Sequence, residues 1–419
     1  MTANVLKGLC LSALLLPLVT LLTPSAIVQG ETDSHPLGIL AYLKGGDWWV
    51  KEFPGGQAQR LATDDGRSAR PSWSPSGQWM AYLKDGELWV VQPSGADARA
   101  LSPGTKVDTF AWSPASDTLA YITRTGSLHI ASADEWCERE VVAAADGRER
   151  MGLFVLAWSP NGKWLAYVRE EVMKEKQPPD NRYASLWRIR TDGSDATELF
   201  NTASVPGGLM VAGWSPDSQY ILFWPVPLFS SSLLADGTSL MAIPASGGQP
   251  VKLVESMLAH DDFLAWSPDG KLLAVTEGSG RQMWLHKRIA VVEPTSGTLT
   301  YLTDDRTAAF SPAWSPDEQR IAYVAAPDIS FVGGGEEAKA GTTQRRIWVM
   351  NRDGSAQRQL THDAAYRDER PLWSADGSHI LFARLDQKGR ASLWLIRNDG
   401  SELQPVVDEL IPAVEWFGY

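Results

Sequence analysis

Two short clusters in the sequence combine side chains that could do chemistry. His260-Asp261-Asp262 and His362-Asp363 each place an imidazole beside carboxylates. Such groups can ligate a metal ion or act as acid and base. Neighbouring residues of this kind are more common in solvated surface turns, and none of the six histidines has a paired-ligand spacing such as His-Glu-x-x-His. The clusters therefore mark candidate positions in loops rather than a metal centre.

Other sequence patterns that carry catalysis are absent. The chain has no Gly-x-Ser-x-Gly nucleophile elbow, no phosphate-binding loop and no calcium loop with alternating carboxylates. Its two cysteines, Cys10 and Cys137, cannot form a disulfide framework. We therefore predict no catalytic residue, no metal ligand and no cofactor. The formal net charge of −12 argues against nucleic acid as a partner.

The beginning of the chain is typical of a targeting segment. Lys7 is followed by a run without charge that reaches Val28, which is the pattern of a secretory signal peptide. We predict that residues 1–30 are removed and that residues 31–419 form a single periplasmic or secreted domain. The alternative is an uncleaved N-terminal membrane anchor, because the apolar run is nearly long enough to span a bilayer.

The rest of the chain repeats one unit. Seven copies of a Trp-Ser-Pro-like motif are each followed, nine positions after the tryptophan, by an aromatic residue or valine. The motif tryptophans are Trp73, Trp112, Trp158, Trp214, Trp266, Trp314 and Trp373. A fixed offset across Pro, Asp or Asn, and Gly predicts two strands joined by a tight turn. A third strand such as ELWVV or RIWVM and a fourth strand follow, so each unit predicts a four-stranded propeller blade.

The two ends of the chain complement each other. Residues 38–63 supply a second, third and fourth strand, whereas residues 411–419 supply only a first strand, with Trp416 at the motif position. Joining them in one blade leaves no exposed strand edge. We therefore predict an all-β propeller of four-stranded antiparallel blades. Eight blades are favoured and seven are possible, with the ring closed when the C-terminal strand joins the N-terminal blade.

These repeats resemble those of TolB-like propellers and of the propeller domains of prolyl oligopeptidases. The resemblance rests on Trp-Ser-Pro-Asp-Gly followed by Leu-Ala-Tyr, and it covers residues 38–419. It implies a role in the cell envelope, where the propeller of TolB proteins docks an outer-membrane lipoprotein. The chain departs from both groups, because we expect neither the α/β domain of TolB nor a hydrolase domain beside the propeller. One fold hosts many activities, so the resemblance is more specific for fold than for function.

The loops differ in length on one face of the predicted propeller. The second-strand aromatic and the third-strand tryptophan are 7 positions apart at Tyr82 and Trp89 but 25 apart at Tyr323 and Trp348. These loops and the connections between blades share a face, which we call the long-loop face, and we predict that it binds the partner. The candidate partner-binding residues at the channel mouth are Arg70, Trp224, His260, Asp261, Asp262, Trp284, Asp305, Arg306, His362, Arg367, Asp368 and Arg370.

Most of the nineteen tryptophans are interpreted as structural. Those that recur in the first and third strands of successive blades fill the space between sheets. Trp224 and Trp284 fall outside this repeat, so we expect them to be aromatic anchors for a partner.

The sequence as a whole favours a non-catalytic, monomeric TolB-like propeller that binds a protein or peptide of the envelope, such as a lipoprotein. The alternative is a propeller-type carbohydrate-active enzyme, either a glycosidase or a lyase, or a carbohydrate-binding module. A metal ion or close carboxylates at the channel mouth would favour the enzyme. A purely structural scaffold is the third possibility.

Overall fold

A computed structural model describes most of the chain. The residues described are 20–21, 38–44, 47–53, 57–63, 72–144, 150–172, 182–204, 207–227, 237–278, 280, 285–329 and 342–410. They form eight four-stranded antiparallel sheets, each a meander of consecutive strands. The prediction of an eight-bladed all-β propeller is therefore confirmed. The sheets are called blades 1 to 8 in chain order.

The strand bounds show the repeat directly. In blades 1 to 4 the strands are β1 (Thr20–Leu21), β2 (Gly38–Lys44), β3 (Asp47–Phe53), β4 (Gln59–Thr63), β5 (Ser72–Trp73), β6 (Met80–Lys84), β7 (Glu87–Val91), β8 (Arg99–Ala100), β9 (Val107–Trp112), β10 (Thr118–Thr123), β11 (Leu128–Ser132), β12 (Glu138–Val142), β13 (Arg150–Trp158), β14 (Trp164–Val172), β15 (Arg182–Arg190) and β16 (Thr197–Asn201).

Blades 5 to 8 continue the series, and a short 3-10 helix, η1 (Asp261–Phe263), precedes blade 6. Their strands are β17 (Gly207–Trp214), β18 (Tyr220–Pro227), β19 (Thr238–Pro244), β20 (Val251–Met257), β21 (Leu264–Trp266), β22 (Leu273–Glu277), β23 (Arg288–Val292), β24 (Leu299–Tyr301), β25 (Thr307–Trp314), β26 (Arg320–Pro327), β27 (Arg346–Asn351), β28 (Arg358–Gln359), β29 (Tyr366–Trp373), β30 (His379–Asp386), β31 (Ala391–Arg397) and β32 (Gln404–Leu410).

The register within each blade follows from the motif turn. In blades 2 to 8 the motif tryptophan lies opposite the residue seven positions later, as Trp112 does with Leu119 and Trp314 with Ile321. The serine after the tryptophan caps the turn. In blade 6, for example, the Ser267 hydroxyl donates to Asp269 at 2.7 Å and accepts the Leu272 N–H at 3.0 Å. Local turn chemistry therefore sets the strand pairing.

The motif tryptophans also join neighbouring blades. In blades 3, 4, 5, 7 and 8 the indole N–H donates to the carbonyl oxygen of the residue that precedes the tryptophan of the preceding blade, at 2.9–3.0 Å. Trp373 of blade 8, for example, donates to Ala313 of blade 7. The interpretation of these rings as structural is confirmed for these blades, because each fills the space between two sheets and satisfies a buried donor.

The first blade packs against the last. Lys51 Nζ on β3 donates to the Val406 carbonyl on β32 at 3.0 Å, and Trp49 packs on the apolar cluster of blade 8. At the other edge of blade 1, Thr20–Leu21 pairs with β2. The predicted closing strand, residues 411–419, lies outside the described residues, so closure by that strand stays a prediction. Among the described residues, no helix has the length and apolar character needed to cross a membrane.

Candidate functional site

The first strands of blades 6, 7 and 8 wall a cavity of about 510 Å³. Its lining combines prolines and tryptophans, such as Pro312 and Trp373, with the charged groups of Asp261, Asp262 and Arg370. Leu372, on the same wall, is one of the large apolar side chains that solvent reaches. A mostly apolar wall with a few convergent polar groups is the usual make-up of a ligand site.

A bulge shapes this wall in both blade 7 and blade 8. Ser311 and Arg370 each stand three positions before the motif tryptophan and are followed by proline. They have positive φ values of 53° and 59°, and the strand register shifts at both places. The proline removes a ladder donor, and a bulge re-aims the side chains around it. Arg370 can therefore reach across the wall rather than continue the strand pattern.

The side chain of Arg370 spans from blade 8 to blade 6. Its Nη2 contacts the Oδ2 of Asp262 in η1, 108 positions away in the sequence, and both side chains are partly exposed. This pair lies on the cavity wall and joins two blades that flank blade 7. We call the Asp262–Arg370 pair the rim of the site.

A second ion pair lies behind the rim, inside blade 8. Arg384 on β30 holds Asp368 on β29 through two hydrogen bonds of 2.6 and 3.0 Å, with both side chains buried. The guanidinium also lies 4.7 Å from the ring centre of Trp394 and 5.0 Å from that of Tyr366. Paired and stacked in this way, a buried charge is tolerated.

Glu369 connects blade 8 to blade 7. Arg345, directly before β27, donates to its Oε1 at 2.6 Å, and Arg367 lies 3.5 Å from the same oxygen. Burial alone would raise the pKa of Glu369, but the charges of Arg345 and Arg367 outweigh burial and hold the pKa of this carboxyl below its usual value. Glu369 is therefore an ionised structural link and is poorly suited to act as a proton donor.

Arg346 completes what we call the arginine cluster: Arg345, Arg346, Arg367, Arg370 and Arg384. The Arg346 guanidinium donates to the carbonyls of Thr343, Arg345 and Tyr366. Burial lowers the pKa of Arg346, and Asp368 acts in the opposite direction. Within the described part of the chain, the other four guanidinium groups of the cluster pair with three carboxylates, those of Asp262, Asp368 and Glu369. An otherwise acidic protein thus concentrates basic groups at one place.

The structure brings four of the predicted site residues together: Asp262, Arg367, Asp368 and Arg370. Asp261 lines the same cavity, and the half-buried ring of His260 packs edge-on against Phe263.

Three predicted residues, Asp305, Arg306 and His362, lie apart from this group. Arg306 pairs locally with Asp304 on an exposed turn that also holds Asp305. His362 is exposed and contacts Gln359 at 3.1 Å. Arg70 and Trp284 lie outside the described residues.

The expectation that Trp224 is an exposed anchor is wrong. Strand β18 runs through Pro227, so Trp224 lies inside the strand and is only 1% exposed within the apolar core.

Arg345, Arg346, Glu369 and Arg384 were not predicted from the sequence as site residues. The consecutive pair Arg345-Arg346 before a third strand was the available signal. Metal ligation finds no support in the described ranges, which hold no group of three or more His, Cys, Asp or Glu side chains that could bind an ion.

The fold defines the class: the described residues form a propeller of eight four-stranded blades, and solved structures of a dipeptidyl peptidase and of prolyl endopeptidases share this fold. No family model matches the chain. An uncharacterised protein of Agrobacterium fabrum is 26% identical over 204 residues, which is 49% of this chain and 59% of that protein. An uncharacterised peptidase of Bacillus subtilis is 23% identical over 228 residues, which is 54% of this chain and 28% of the peptidase. The matches thus span between about a quarter and three fifths of these relatives.

Solved structures share the fold over nearly the whole chain. Dipeptidyl peptidase 4 of Porphyromonas gingivalis superposes with a TM-score of 0.65 and 11% identity, over 90% of this chain and 58% of that one. An oligogalacturonate lyase in complex with manganese gives a TM-score of 0.52 and 15% identity, over 90% of this chain and 97% of the lyase. A TolB structure from Agrobacterium tumefaciens gives a TM-score of only 0.37, at 19% identity over 68% of this chain and 89% of that one.

These comparisons correct the functional prediction. A non-catalytic envelope-binding propeller was favoured, and a carbohydrate-active enzyme was the alternative. Solved structures that share the fold with a TM-score above 0.5 instead include peptidases and a lyase, and one relative by sequence is named as a peptidase. At these identities the structural likeness establishes the fold alone. The activity depends on the residues of the site, because one fold hosts many activities.

Proposed function

We propose that this protein is a carbohydrate-active propeller enzyme of the lyase type that acts on an acidic oligosaccharide. The observation that carries the proposal is the arginine cluster beside the cavity of blades 6 to 8. Guanidinium groups bind carboxylates through paired, planar hydrogen bonds. Arg370 is the member of the cluster that lines the cavity, and it can offer such hydrogen bonds to a sugar that carries carboxylates. The lyase also supports the proposal, because its whole length corresponds to the length of this propeller.

The cavity wall fits the rest of a sugar. Prolines, tryptophans and Leu372 offer flat apolar surfaces for the C–H faces of pyranose rings, and the Asp262–Arg370 pair offers polar groups at the rim. A saccharide chain could therefore lie along β21, β25 and β29, the first strands of blades 6, 7 and 8.

The chemistry assigned to the arginines is electrostatic. In a β-elimination a base takes the proton from the carbon next to the carboxylate, and negative charge builds on the carboxylate oxygens. The carbon–carbon double bond then forms as the glycosidic carbon–oxygen bond breaks, and the leaving oxygen takes up a proton. Fixed guanidinium groups that already hold this carboxylate stabilise the charge as it forms. The neighbouring lyase is described with manganese, but the described residues of this chain do not fit a metal centre. No step is assigned to a metal here.

Oligogalacturonate is the substrate to test first, with a neutral cello-oligosaccharide as the control ligand. We expect the ultraviolet absorbance of an unsaturated uronate product from the acidic substrate and none from the neutral one. Arg370→Gln should weaken binding of the acidic substrate by about tenfold or more, as expected for loss of a charge-assisted hydrogen bond. Arg306→Gln removes the same charge at an exposed local pair and should leave binding unchanged. Failure of the protein to bind or cleave acidic oligosaccharides would refute the proposal.

We also propose that the protein works outside the cytoplasm, after removal of residues 1–30. The charge-free run that follows Lys7 supports this proposal. N-terminal sequencing of the protein recovered from the periplasm or medium tests it, and a mature protein that still begins at Met1 would contradict it.

A further inference from the structure

A serine, a histidine and a glutamate meet in blade 3, away from the arginine cluster. The Ser127 Oγ lies 2.8 Å from His129 Nε2, and the Nδ1 of the same ring lies 2.6 Å from Glu138 Oε1. A nucleophile, a base and a carboxylate that orients the base, in hydrogen-bonding reach of one another, form the arrangement that activates serine hydroxyls.

The fold of blade 3 places these groups. Ser127 ends the turn between β10 and β11, while His129 lies on β11 opposite Tyr121 of β10. Glu138 begins the outer strand β12, one diagonal position from the direct partner of His129, Glu140. The Tyr121 ring stacks on the imidazole with ring centres 5.1 Å apart and an interplanar angle of 11°. The imidazole is therefore held between a ring on one strand and carboxylates on the next.

The same place in other blades shows what is unusual about blade 3. In blade 4, Trp187 donates its indole N–H to Ser185 Oγ at 2.8 Å, and in blade 8 Trp394 donates to Ser392 Oγ at 2.9 Å. Ser-Leu-Trp recurs in those blades, whereas blade 3 reads Ser127-Leu128-His129. The Ser–x–aromatic contact is thus part of the scaffold, and blade 3 keeps it with a different ring.

The exchange of tryptophan for histidine reverses the hydrogen bond. An indole nitrogen only donates, so the serines of blades 4 and 8 accept. A neutral imidazole accepts at one nitrogen when the other carries the proton, and the Glu138 carboxylate beside Nδ1 favours the proton there. Ser127 then donates its hydroxyl proton to Nε2. The Glu138 oxygen is close to Nδ1 but off the direction of an aligned hydrogen bond, and such bonds commonly tighten only when substrate binds.

Thr123 fixes the serine hydroxyl. Its Oγ1 accepts the Ser127 N–H at 3.1 Å and lies 2.7 Å from Ser127 Oγ. The Thr123 hydroxyl proton can therefore point at Ser127 Oγ, which leaves the serine proton for His129. Ser127 itself is 5% exposed, two positions after the exposed Thr125, so a small acyl group suits the site better than a long chain.

We propose that Ser127, His129 and Glu138 form a serine-type acyl-transfer site that hydrolyses short carboxylic esters. Ser127 Oγ bonds to the ester carbonyl carbon while its proton passes to His129 Nε2. The carbon–oxygen bond to the alcohol breaks, and the alcohol leaves with that proton. Water then attacks the acyl-serine through the same nitrogen, and the acid is released as the serine proton returns. Ser127 and His129 are the catalytic residues, and Glu138 is a positioning residue. This site goes beyond the saccharide activity and does not depend on it.

The experiment uses diisopropyl fluorophosphate as a small serine probe and p-nitrophenyl acetate as the ester. The adduct should map to Ser127 in peptide mass spectra, while Ser185 and Ser392 stay unmodified as internal controls. His129→Trp is the matched variant, because it restores the Ser–Trp contact of blades 4 and 8 and so preserves the scaffold. It should slow labelling and ester hydrolysis by about a hundredfold or more, the usual contribution of a general base, without changing saccharide cleavage.

Glu138→Gln tests the positioning role. It should lower kcat for p-nitrophenyl acetate while leaving KM and the melting temperature unchanged, because the carboxylate orients the imidazole without touching substrate. Three outcomes overturn the proposal: no adduct at Ser127 in the wild type, the same labelling rate in His129→Trp, or a Glu138→Gln variant with unchanged kcat. Loss of saccharide cleavage with Ser127 labelling intact would count against the proposed lyase function alone.

Discussion

Arg384 and Asp368 form a two-point ion pair inside blade 8, with Nε–Oδ1 and Nη2–Oδ2 distances of 2.6 and 3.0 Å and side chains that are 2% and 0% exposed. Removing one partner of such a pair leaves the other charge buried without compensation. We predict that Arg384→Met lowers the free energy of unfolding by about 3–5 kcal/mol, measured by urea denaturation.

A control for this prediction lies in the same blade. Arg390 pairs with Asp386 at 2.6 Å, but its side chain is 71% exposed, so Arg390→Met should cost about 1 kcal/mol or less. Replacing both buried partners, as in Arg384→Met with Asp368→Leu, should recover most of the lost stability because no isolated charge remains. Equal losses for Arg384→Met and Arg390→Met would show that the buried pair is not what holds this region.

The motif tryptophans give a second prediction, which concerns ring closure. The Trp373 indole donates to the Ala313 carbonyl at 3.0 Å, whereas the buried Nε1 of Trp73 has no acceptor among the described residues. If removal of residues 1–30 takes β1 (Thr20–Leu21) away and residues 411–419 supply the first strand of blade 1 in its place, as predicted, the carbonyl of Glu415 would hold the position that the other acceptors hold relative to their motif tryptophans. Trp73→Phe should then cost about 1–2 kcal/mol, as Trp373→Phe should.

Truncation tests whether residues 411–419, and no other group, accept the hydrogen bond of Trp73. In a chain that ends at Leu410, Trp73→Phe should have almost no further effect on the denaturation midpoint, while Trp373→Phe should keep its full cost. A Trp73→Phe penalty of the same size with and without residues 411–419 would rule out the C-terminal strand as the partner.

The sequence predicted the blades well because their pairing depends on local turn chemistry. Extending the pairing set by the motif turn along the strand gives the wrong partners at the candidate site. Counting back from Trp373 opposite Ile380, an unbroken ladder would place Asp368 opposite Leu385, but the structure pairs Asp368 with Arg384. The bulge at Arg370-Pro371 shifts the register by one residue, which changes the neighbour of every residue before it. A positive φ at an arginine is not a pattern that composition reveals.

Contacts between blades could not be predicted from the sequence either. Arg345 meets Glu369, and Arg370 meets Asp262, only because curved sheets bring separate blades side by side. The Ser127–His129 contact is different, because histidine at a position where other blades have tryptophan was visible from the repeat. The sequence did not show that Glu138 lies on strand β12, or that its Oε1 lies 2.6 Å from His129 Nδ1.

Lys287 gives a prediction about pH. Its side chain is 1% exposed and its Nζ donates to the Leu285 carbonyl at 3.3 Å. Burial lowers the pKa of Lys287 from 10.5 to about 8, against the attraction of Glu277 and Asp328. Between these two pH values the unfolded chain holds a proton that the folded chain has released, so stability rises with pH in this window. The rise is at most about 3 kcal/mol.

Lys287→Met should remove this rise, so that its free energy of unfolding changes less between pH about 8 and about 10.5 than that of the wild type. Lys271→Met is the matched control, because it removes the same charge from a side chain that is 79% exposed. Urea denaturation at a series of pH values makes the comparison. Identical slopes in the wild type and Lys287→Met would show that Lys287 does not titrate in this range.

The last prediction concerns how closely neighbouring blades approach each other at the turns between third and fourth strands. Gly354 has a φ of +83°, and a Cβ added there would lie 2.9 Å from the Leu302 carbonyl oxygen of blade 6. Gly389, in the turn between the second and third strands of blade 8, has a similar φ of +76° but nothing within 4 Å of an added Cβ. Gly389→Ala should therefore show only the backbone cost of a left-handed residue, about 1–2 kcal/mol. Gly354→Ala should lose clearly more stability, because blades 6 and 7 must also move apart. Thermal denaturation of the two variants separates these costs, and equal losses would mean that this blade contact is loose.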